Sequence, residues 1–436
     1  MTMIRVRYND QQKPYISFPT MMSSILIIGA GPNQLPAIRM ARERGYRVVA
    51  TDMDPDAEGF ALADEFGIVS TRDVAATVEF ARHSAMKHPI SGVMTMASES
   101  AMTVAAVADA LGLPGLPPVA AENATNKVKR QLLFKKHGIL SPRFAIAHDA
   151  HDACKKSEEL GYPVVVKPAD SAGSRGVQKV ENSKQMEDAV VEIRTISTIT
   201  EILIEEFLTG TEHSIEGVVL NGNVIWAGLS DRNYDKKEIY PPYFLEDGDT
   251  MPTSLDPDIV RAVEEAATKA VHALGITWGP VKGDILIDDT KGIRILEMAA
   301  RLSGDYFCYE TIPLHNGINL LEIVMDMSMG YPIEREKLTP KYNQGVALRY
   351  VWPKPGRVCS IKGIEEARSL PGVHFVKFEP RWRDIAIGTD IQPAKSMGER
   401  VASVMASAET REKAIEIAEK AVSLIKIETI PGDNNG

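Results

Sequence analysis

The sequence predicts an α/β protein of several units, and three observations carry that prediction. Apolar strand-like runs alternate with helix-length segments from Ser23 to Leu111, the pattern of a parallel sheet with crossover helices. Shorter strands with apolar–polar alternation follow from Tyr162 onward, the pattern of a half-buried sheet. A chain of 436 residues is long for one core, and at roughly 150 residues per domain it divides into about three.

The first run, SSILIIGAGP, is a continuous apolar strand ending in Gly29 and Gly31. A helical pattern through Leu35, Ile38, Met40 and Ala41 ends near Gly45, and the strand RVVATD ends at Asp52. A further apolar stretch spans about Gly92 to Met96, with a helix from about Ser100 to Leu111; the Gly- and Pro-rich Leu113–Pro118 closes the unit. A helix from about Asn126 to His137 ends at Gly138. Strands are then expected at 162–168, at 176–180 and at 201–208, followed by EHSIEGVVL and NVIWAGL. The segment from about Arg232 to Pro252 reads as irregular. A helix from Asp258 to Leu274 precedes strands near 282–287 and 293–298. The last block, from Gly345, has its own strands and a helix from Thr410 to Ile425. Residues 1–22 read as a disordered extension, because Met21 and Met22 stand directly before the first strong strand.

A net charge of −10 argues against a nucleic-acid backbone as partner, since no excess of Lys and Arg exists to neutralise it. A small phosphate ligand stays open, needing only a few local cations and backbone N–H groups. Cys154, Cys308 and Cys359 are far apart and form no CxxC pair, which fits a reducing compartment. No apolar run approaches the ~20 residues of a membrane span, and no uninterrupted apolar stretch marks a secretory signal. A cytoplasmic protein with no membrane or nucleic-acid partner is expected.

Four constellations carry chemistry. GAGPNQ after a strand, with Asp52 beyond, suggests a dinucleotide turn, but its third glycine is replaced by Gln34. Lys167 ends a run of three valines, so its stem packs while its ammonium is aimed at one place, which suits a phosphate. Small residues in DSAGSRGV, namely Ser171, Gly173, Ser174 and Gly176, would let backbone N–H groups approach phosphate oxygens, with Arg175 adding charge. An ordinary hairpin loop beside a surface lysine is the other reading. EILIEEFL places Glu205, Glu206, Phe207 and Leu208 at a strand end, where a carboxylate can accept from an adenine amine and Glu212 from a ribose; solvated acids are the bland alternative. Asp284 and Glu297 lie on two strands joined by the turn Asp288–Gly292, hence on antiparallel neighbours. Two carboxylates converging among apolar residues are costly unless a cation neutralises them, and oxygen ligands beside phosphates indicate Mg²⁺. Arg301, just past the second acid, is placed to hold an anionic substrate.

In this order the motifs resemble the ATP-grasp superfamily over about residues 23–430. The resemblance implies a Rossmann-like preATP-grasp domain (23–118), an ATP-grasp domain of two α+β subdomains (119–340, with a small lid at about 140–208) and a small C-terminal α+β domain (341–430). It implies ATP held by Lys127, Lys167, the glycine loop, Glu205 to Leu208 and Glu212, and Mg²⁺, or Mn²⁺, held by Asp284 and Glu297. Arg301 and Lys167 become the catalytic pair. Where many members have Glu at the first metal position this chain has Asp284, and where many have Asn two residues after the second acid it has Ala299.

The block from Gly345 and the segment YFLEDGDTMPTSL resemble the L-amino-acid ligase branch. That branch joins a carboxylate to an amine through an acyl phosphate, releasing ADP and phosphate. The expected partners are small carboxylates and amines of amino-acid type, with a homodimer left open. Purine-pathway and biotin-carboxylase-like enzymes share the three-part plan and stand as alternatives. An NAD-dependent oxidoreductase and a non-catalytic nucleotide-binding regulator are more distant ones.

Overall fold

The computed structural model describes residues 23–431 apart from 172, 198 and 236–238; the expected extension at 1–22 lies outside them. The chain opens with β1 (Ser24–Ile28), α1 (Leu35–Glu43), β2 (Arg47–Asp52), β3 (Glu65–Ile68), α2 (Val74–Lys87), β4 (Ile90–Met94) and α3 (Ala101–Leu111). The strands form a parallel sheet in the order β3-β2-β1-β4. Every residue of β1 is buried, which is why SILII is continuously apolar: helices cover both faces of a parallel sheet.

Two short helices, α4 (Pro118–Thr125) and α5 (Lys127–His137), lead into a four-stranded antiparallel sheet. It contains β5 (Phe144–Ala147), β6 (Val164–Pro168), β7 (Gln178–Val180) and β8 (Ile202–Glu206), with α6 (Ala150–Leu160) and α7 (Ser183–Ile196) between them. Its order is β5-β8-β6-β7, and Val164, Val166, Ile202 and Ile204 pack against Met186, Ala189 and Ile193 of α7.

The long strands β9 (Gly210–Leu220) and β10 (Asn223–Arg232) come next, then β11 (Asp249–Met251), α8 (Pro257–Ala273), β12 (Gly279–Asp288) and β13 (Gly292–Ala299). After α9 (Ile312–Asn316) and α10 (Leu320–Ser328) the chain continues through β14 (Gly345–Val351), β15 (Gly356–Lys362) and α11 (Ile364–Arg368). It ends with β16 (Val373–Phe378), β17 (Asp390–Ile391), β18 (Ala402–Ala408), α12 (Arg411–Leu424) and β19 (Lys426–Ile430).

One eight-stranded sheet, β13-β12-β9-β10-β11-β14-β18-β16, runs through this half of the protein. The irregular reading of 232–252 therefore needs correction. Three residues of that segment, Asp249–Met251, pair with β10 on one side and β14 on the other. They stitch the C-terminal strands onto the central sheet. A three-residue strand followed by Pro252 gives too short a pattern to be seen in sequence.

Candidate functional site

A cavity of ≈ 290 Å³ opens where the end of the first sheet, the β5–β8 sheet and the β12–β13 hairpin meet. Its floor follows from strand geometry. Lys282, Asp284 and Leu286 lie two residues apart on β12 and share one face with Glu212 and Ser214 of β9. Asp284 is registered opposite both Ser214 and Glu297. A bulge between Asp284 and Ile285 leaves Leu296 without a direct partner, so Leu296 and Glu297, though adjacent, both line the cavity. A regular strand would have turned one of them away.

One wall carries the lysines and the glycine loop. Lys167 Nζ lies 2.5 Å from Glu205 Oε2, and Gln131 Nε2 donates to the other oxygen at 2.7 Å. Asn126 caps α5 by accepting from Lys129 N, fixing Lys127 in the first helical turn, and the Lys127 ammonium donates to the Ser171 carbonyl. Burial pushes the Lys127 pKa down. Ser171, Gly173 and Ser174 line the cavity, with φ of 64° at Gly173 and 58° at Ser174. Gly176 does not line it. With φ of 72°, it turns the chain toward β7 against Pro168 and Ile196, each of which a Cβ would meet at 3.0 Å.

A second wall is apolar: Val165, Phe207, Leu208, Ile215, Leu286 and Leu296, with Phe244 stacked 6.2 Å from Phe207. The hinge carboxylates, one of them expected to accept from an adenine amine, both have protein donors. Glu205 is held by Lys167 and Gln131, while Glu206 accepts from Arg143 N (3.0 Å), Arg143 Nε (2.8 Å) and Lys291 Nζ (2.7 Å). Glu206 fastens the hinge to the β12–β13 turn, and these donors hold its pKa down against the effect of burial.

The carboxylate pair differs from expectation. Lys282 Nζ lies 3.0 and 3.1 Å from the two Asp284 oxygens, Arg232 is 3.5 Å away, and Ser214 Oγ donates at 3.2 Å. Glu297 has Arg130 at 3.6 Å. Burial works against both charges, yet Lys282 and Arg232 lower the Asp284 pKa, and Arg130 with Lys127 lower that of Glu297. The protein itself thus supplies cations that the hairpin sequence does not reveal. Among the described residues no three His, Cys, Asp or Glu side chains converge as a metal cage. A hard cation at this pair would take two carboxylates and complete its shell from phosphate and water, so the oxygen donors fit Mg²⁺.

Arg301 lies half-buried beside the pair and reaches across to the first sheet. Its Nε and Nη2 donate to Glu99 Oε1 at 3.0 and 2.6 Å. The crossing is fixed by backbone: Ala97 N donates to Leu302 O at 3.1 Å, and Met96 bridges Leu302. Glu99 thus joins the site from the carboxyl end of the parallel sheet, the usual crevice of open α/β folds. Reading the sequence missed Glu99, Arg232, Tyr234, Glu246, Asp249, Lys282 and Asp305, all of which line the cavity. Only Lys282, two residues before Asp284 on the same strand face, left a legible signal.

The GAGPNQ turn is already filled. Gln34 packs so closely on Gly29 that a Cβ there would lie 2.9 Å from Gln34 Cδ, and Asp52 Oδ2 accepts from Ala30 N at 2.8 Å. The carboxylate expected for a ribose is spent on the turn.

Two family models match parts of this chain: the D-ala D-ala ligase C-terminus over residues 133–304, and the L-amino acid ligase C-terminal domain 2 over residues 349–429. The first covers the lid sheet with Lys167 and the carboxylate hairpin, and begins after Lys127. The chain belongs to the ATP-grasp ligases. This ATP-grasp chain is similar to the crystal structure of L-amino acid ligase from Bacillus licheniformis, with a TM-score of 0.79, 25% identity, and 94% and 100% of the two chains covered. It is similar in fold to the biotin carboxylase domain dimer of Hydrogenobacter thermophilus 2-oxoglutarate carboxylase, solved with MgADP and bicarbonate (TM-score 0.69, 17% identity, 93% and 91% covered). The carbamoyl phosphate synthase large chain of Thermotoga neapolitana is 24% identical over 442 residues, which cover 92% of this chain but 37% of that one. No helix among the described residues is long and apolar enough to cross a membrane.

Proposed function

We propose that this ATP-grasp ligase joins a small carboxylate, of amino-acid type, to an amine at the expense of ATP. The observation that carries the reading is the convergence in one cavity of Lys127, Lys167, Ser171, Gly173, Ser174, the Asp284–Glu297 pair and Arg301. In this reading the base of ATP lies in the apolar slot between Val165, Phe207 and Leu296, and its phosphates run toward the glycine loop. Asp284 and Glu297 would hold Mg²⁺, which supplies neutralisation of phosphate charge. Lys282 and Arg232 then share or yield the Asp284 carboxylate.

Lys167 and Lys127 offset charge on the phosphates, and Arg301 steadies the substrate carboxylate. One carboxylate oxygen forms a bond to the γ-phosphorus while the bond to ADP breaks. The amine nitrogen then attacks the acyl carbon, inorganic phosphate leaves, and the amine gives up a proton. The acceleration comes from positioning and fixed charge, with no protein nucleophile in the cavity required. The β5–β8 sheet and its glycine loop act as a lid that keeps water from the activated acyl group.

Support for the amino-acid ligase branch comes from the C-terminal match at 349–429 and from the similarity over nearly the whole of the Bacillus licheniformis enzyme. The test is ADP release screened against pairs of amino acids and other carboxylates with amines. Release with an amino-acid pair and no release with bicarbonate or phosphoribosyl substrates is expected. Release with bicarbonate alone would point instead to the carboxylating branches of the fold.

A further inference from the structure

The turn from Arg301 to Phe307 lines one side of the cavity. Its first half is tied to the first sheet and to β9. Arg301 meets Glu99, Leu302 O accepts from Ala97 N, and Ser303 donates twice to Glu216. Its second half depends on other contacts. Asp305 and Tyr306 both have positive φ, 54° and 66°, a conformation that residues other than glycine keep only where the surroundings over-determine it.

Those surroundings come from the strands after Gly345. Arg400, two residues before β18, donates from Nη2 to the Asp305 carboxylate, and its Nε stands 3.5 Å from Glu379 Oε1. Its guanidinium lies 4.6 Å from the ring centroid of Tyr350, a fully buried side chain of β14. Backbone fixes the root of the arginine: Val401 N donates to Val351 O and Glu379 N to Val401 O, each at 3.0 Å. Beside this pair the Tyr306 ring packs on Phe375 of β16 with centroids 4.8 Å apart, and the Lys377 ammonium lies 5.2 Å from the Tyr306 centroid. A planar guanidinium stacked on an aromatic face between two carboxylates has few other placements. Arg400 is nearly buried and Asp305 half-exposed, so the arginine is the fixed member of the pair and the aspartate the member at the cavity.

Resting on the ligase reading above, we propose that Arg400 is a positioning residue: through Asp305 it fixes the turn that aims Arg301 at the substrate carboxylate. It acts from outside the cavity. Among the described residues beyond Gly345, Met397 alone lines that cavity, so the charge-assisted Arg400–Asp305 contact is the main route by which these strands act on the reacting groups. The turn is then held at both ends, by Glu99 at Arg301 and by Arg400 at Asp305. Small displacements of such a support misplace the group that it carries, and rate and substrate binding suffer together.

The test compares the parent, Arg400→Met, Asp305→Asn and the double variant as full chains. KM for the carboxylate and KM for ATP are measured from ADP release with the carboxylate–amine pair that the parent turns over. Amide hydrogen exchange over residues 301–307 is followed in the same proteins without substrate. Arg400→Met is expected to raise the carboxylate KM about tenfold or more, to leave KM for ATP at the parent value, and to speed exchange over 301–307 while β1 and the β5–β8 sheet keep parental protection. A side chain that only stabilised the fold would lower the amount of active protein and leave both KM values alone. Asp305→Asn should repeat the shift, and the double variant should add nothing to it, because the two residues act through one contact. A parental carboxylate KM in Arg400→Met, equal rises in both KM values, additive effects, or unchanged exchange over 301–307 would overturn the proposal. If Arg400→Met does not fold, Arg400→Lys, which keeps the charge but not the planar fork, is read by the same criteria. Exchange needs no turnover, so a parent that releases ADP with no pair overturns the ligase reading while exchange still judges the clamp.

Discussion

Arg301 of the loop after β13 meets Glu99 of the loop after β4 at 2.6 Å, joining two halves of the site that are 202 residues apart in sequence. Both groups are partly buried, and desolvation works against both charges; each raises the other's preference for the ionised form. Replacing Glu99 by Gln leaves the guanidinium without its counter-ion. Loss of one partner of a fully buried pair costs about 3–5 kcal/mol when nothing replaces it; here both groups are partly exposed and the amide retains part of the bonding, so the loss is smaller. Glu99→Gln is expected to melt lower and to lose ADP release through a raised KM for the carboxylate. Steady-state kinetics with both substrates varied checks this, and an unchanged KM would separate Arg301 from carboxylate binding.

Lys167→Ala removes the cation that Glu205 faces across 2.5 Å. A hydrogen bond to a charged group is worth about 1.5–3 kcal/mol, so affinity for an ATP analogue is expected to fall about 10- to 100-fold. Calorimetry at fixed Mg²⁺ measures it. Unchanged affinity would take Lys167 out of the nucleotide site.

The two loop glycines should respond differently. Gly173 has open space around a new Cβ, whereas Gly176 is pressed on Pro168 and Ile196. Gly173→Ala therefore costs only the left-handed backbone penalty of about 1–2 kcal/mol, and it is expected to slow ADP release while the fold persists. Gly176→Val is expected to disturb folding as well. Circular dichroism beside an ADP assay distinguishes them, and a fully active Gly173→Ala would mean that the loop does not close over phosphates.

Glu216 lies under the site, fully buried, accepting from Ser303 N at 2.7 Å and from Ser303 Oγ. Burial raises its pKa from 4.5 to about 7. Between those values the unfolded chain gives up this proton and the folded chain keeps it, so its contribution to stability is intact below pH 4.5 and falls as pH rises toward 7. The full swing is about 3 kcal/mol. Glu216→Gln cannot ionise, so its stability relative to the parent should improve by that order across the window. Parallel denaturant titrations at several pH values read the difference, and a flat difference would show that Glu216 is not held neutral.

The sequence exposed those parts of the site that lie on one element or on neighbours joined by a short turn. Asp284 and Glu297 were legible because the Asp288–Gly292 turn forces their strands together. Lys167 was legible because three valines bury the strand that carries it. Glu99 was not, because it meets Arg301 only through the Met96–Leu302 bridge between distant segments. Lys282 and Arg232 were missed as partners of Asp284 for a related reason: strand periodicity tells which face a side chain takes, not which charge waits across the sheet. The acids at 246 and 249 sit in and just before a strand three residues long, too short to leave a pattern.

Glu297→Gln tests the Mg²⁺-dependent ligase most directly. Loss of this carboxylate leaves Lys127, Arg130, Lys282 and Arg301 facing one another with one anion fewer, so the metal-free variant is expected to melt lower than the parent. A metal ligand contributes several kcal/mol to the transition state, so ADP release should fall by about 100-fold or more. Its Mg²⁺ requirement should also rise. The decisive measurement is the Mg²⁺ dependence of ADP release in parent and Glu297→Gln with one carboxylate–amine pair. A large loss with a shifted Mg²⁺ requirement is the expected result; parental turnover at an unchanged Mg²⁺ requirement would contradict it.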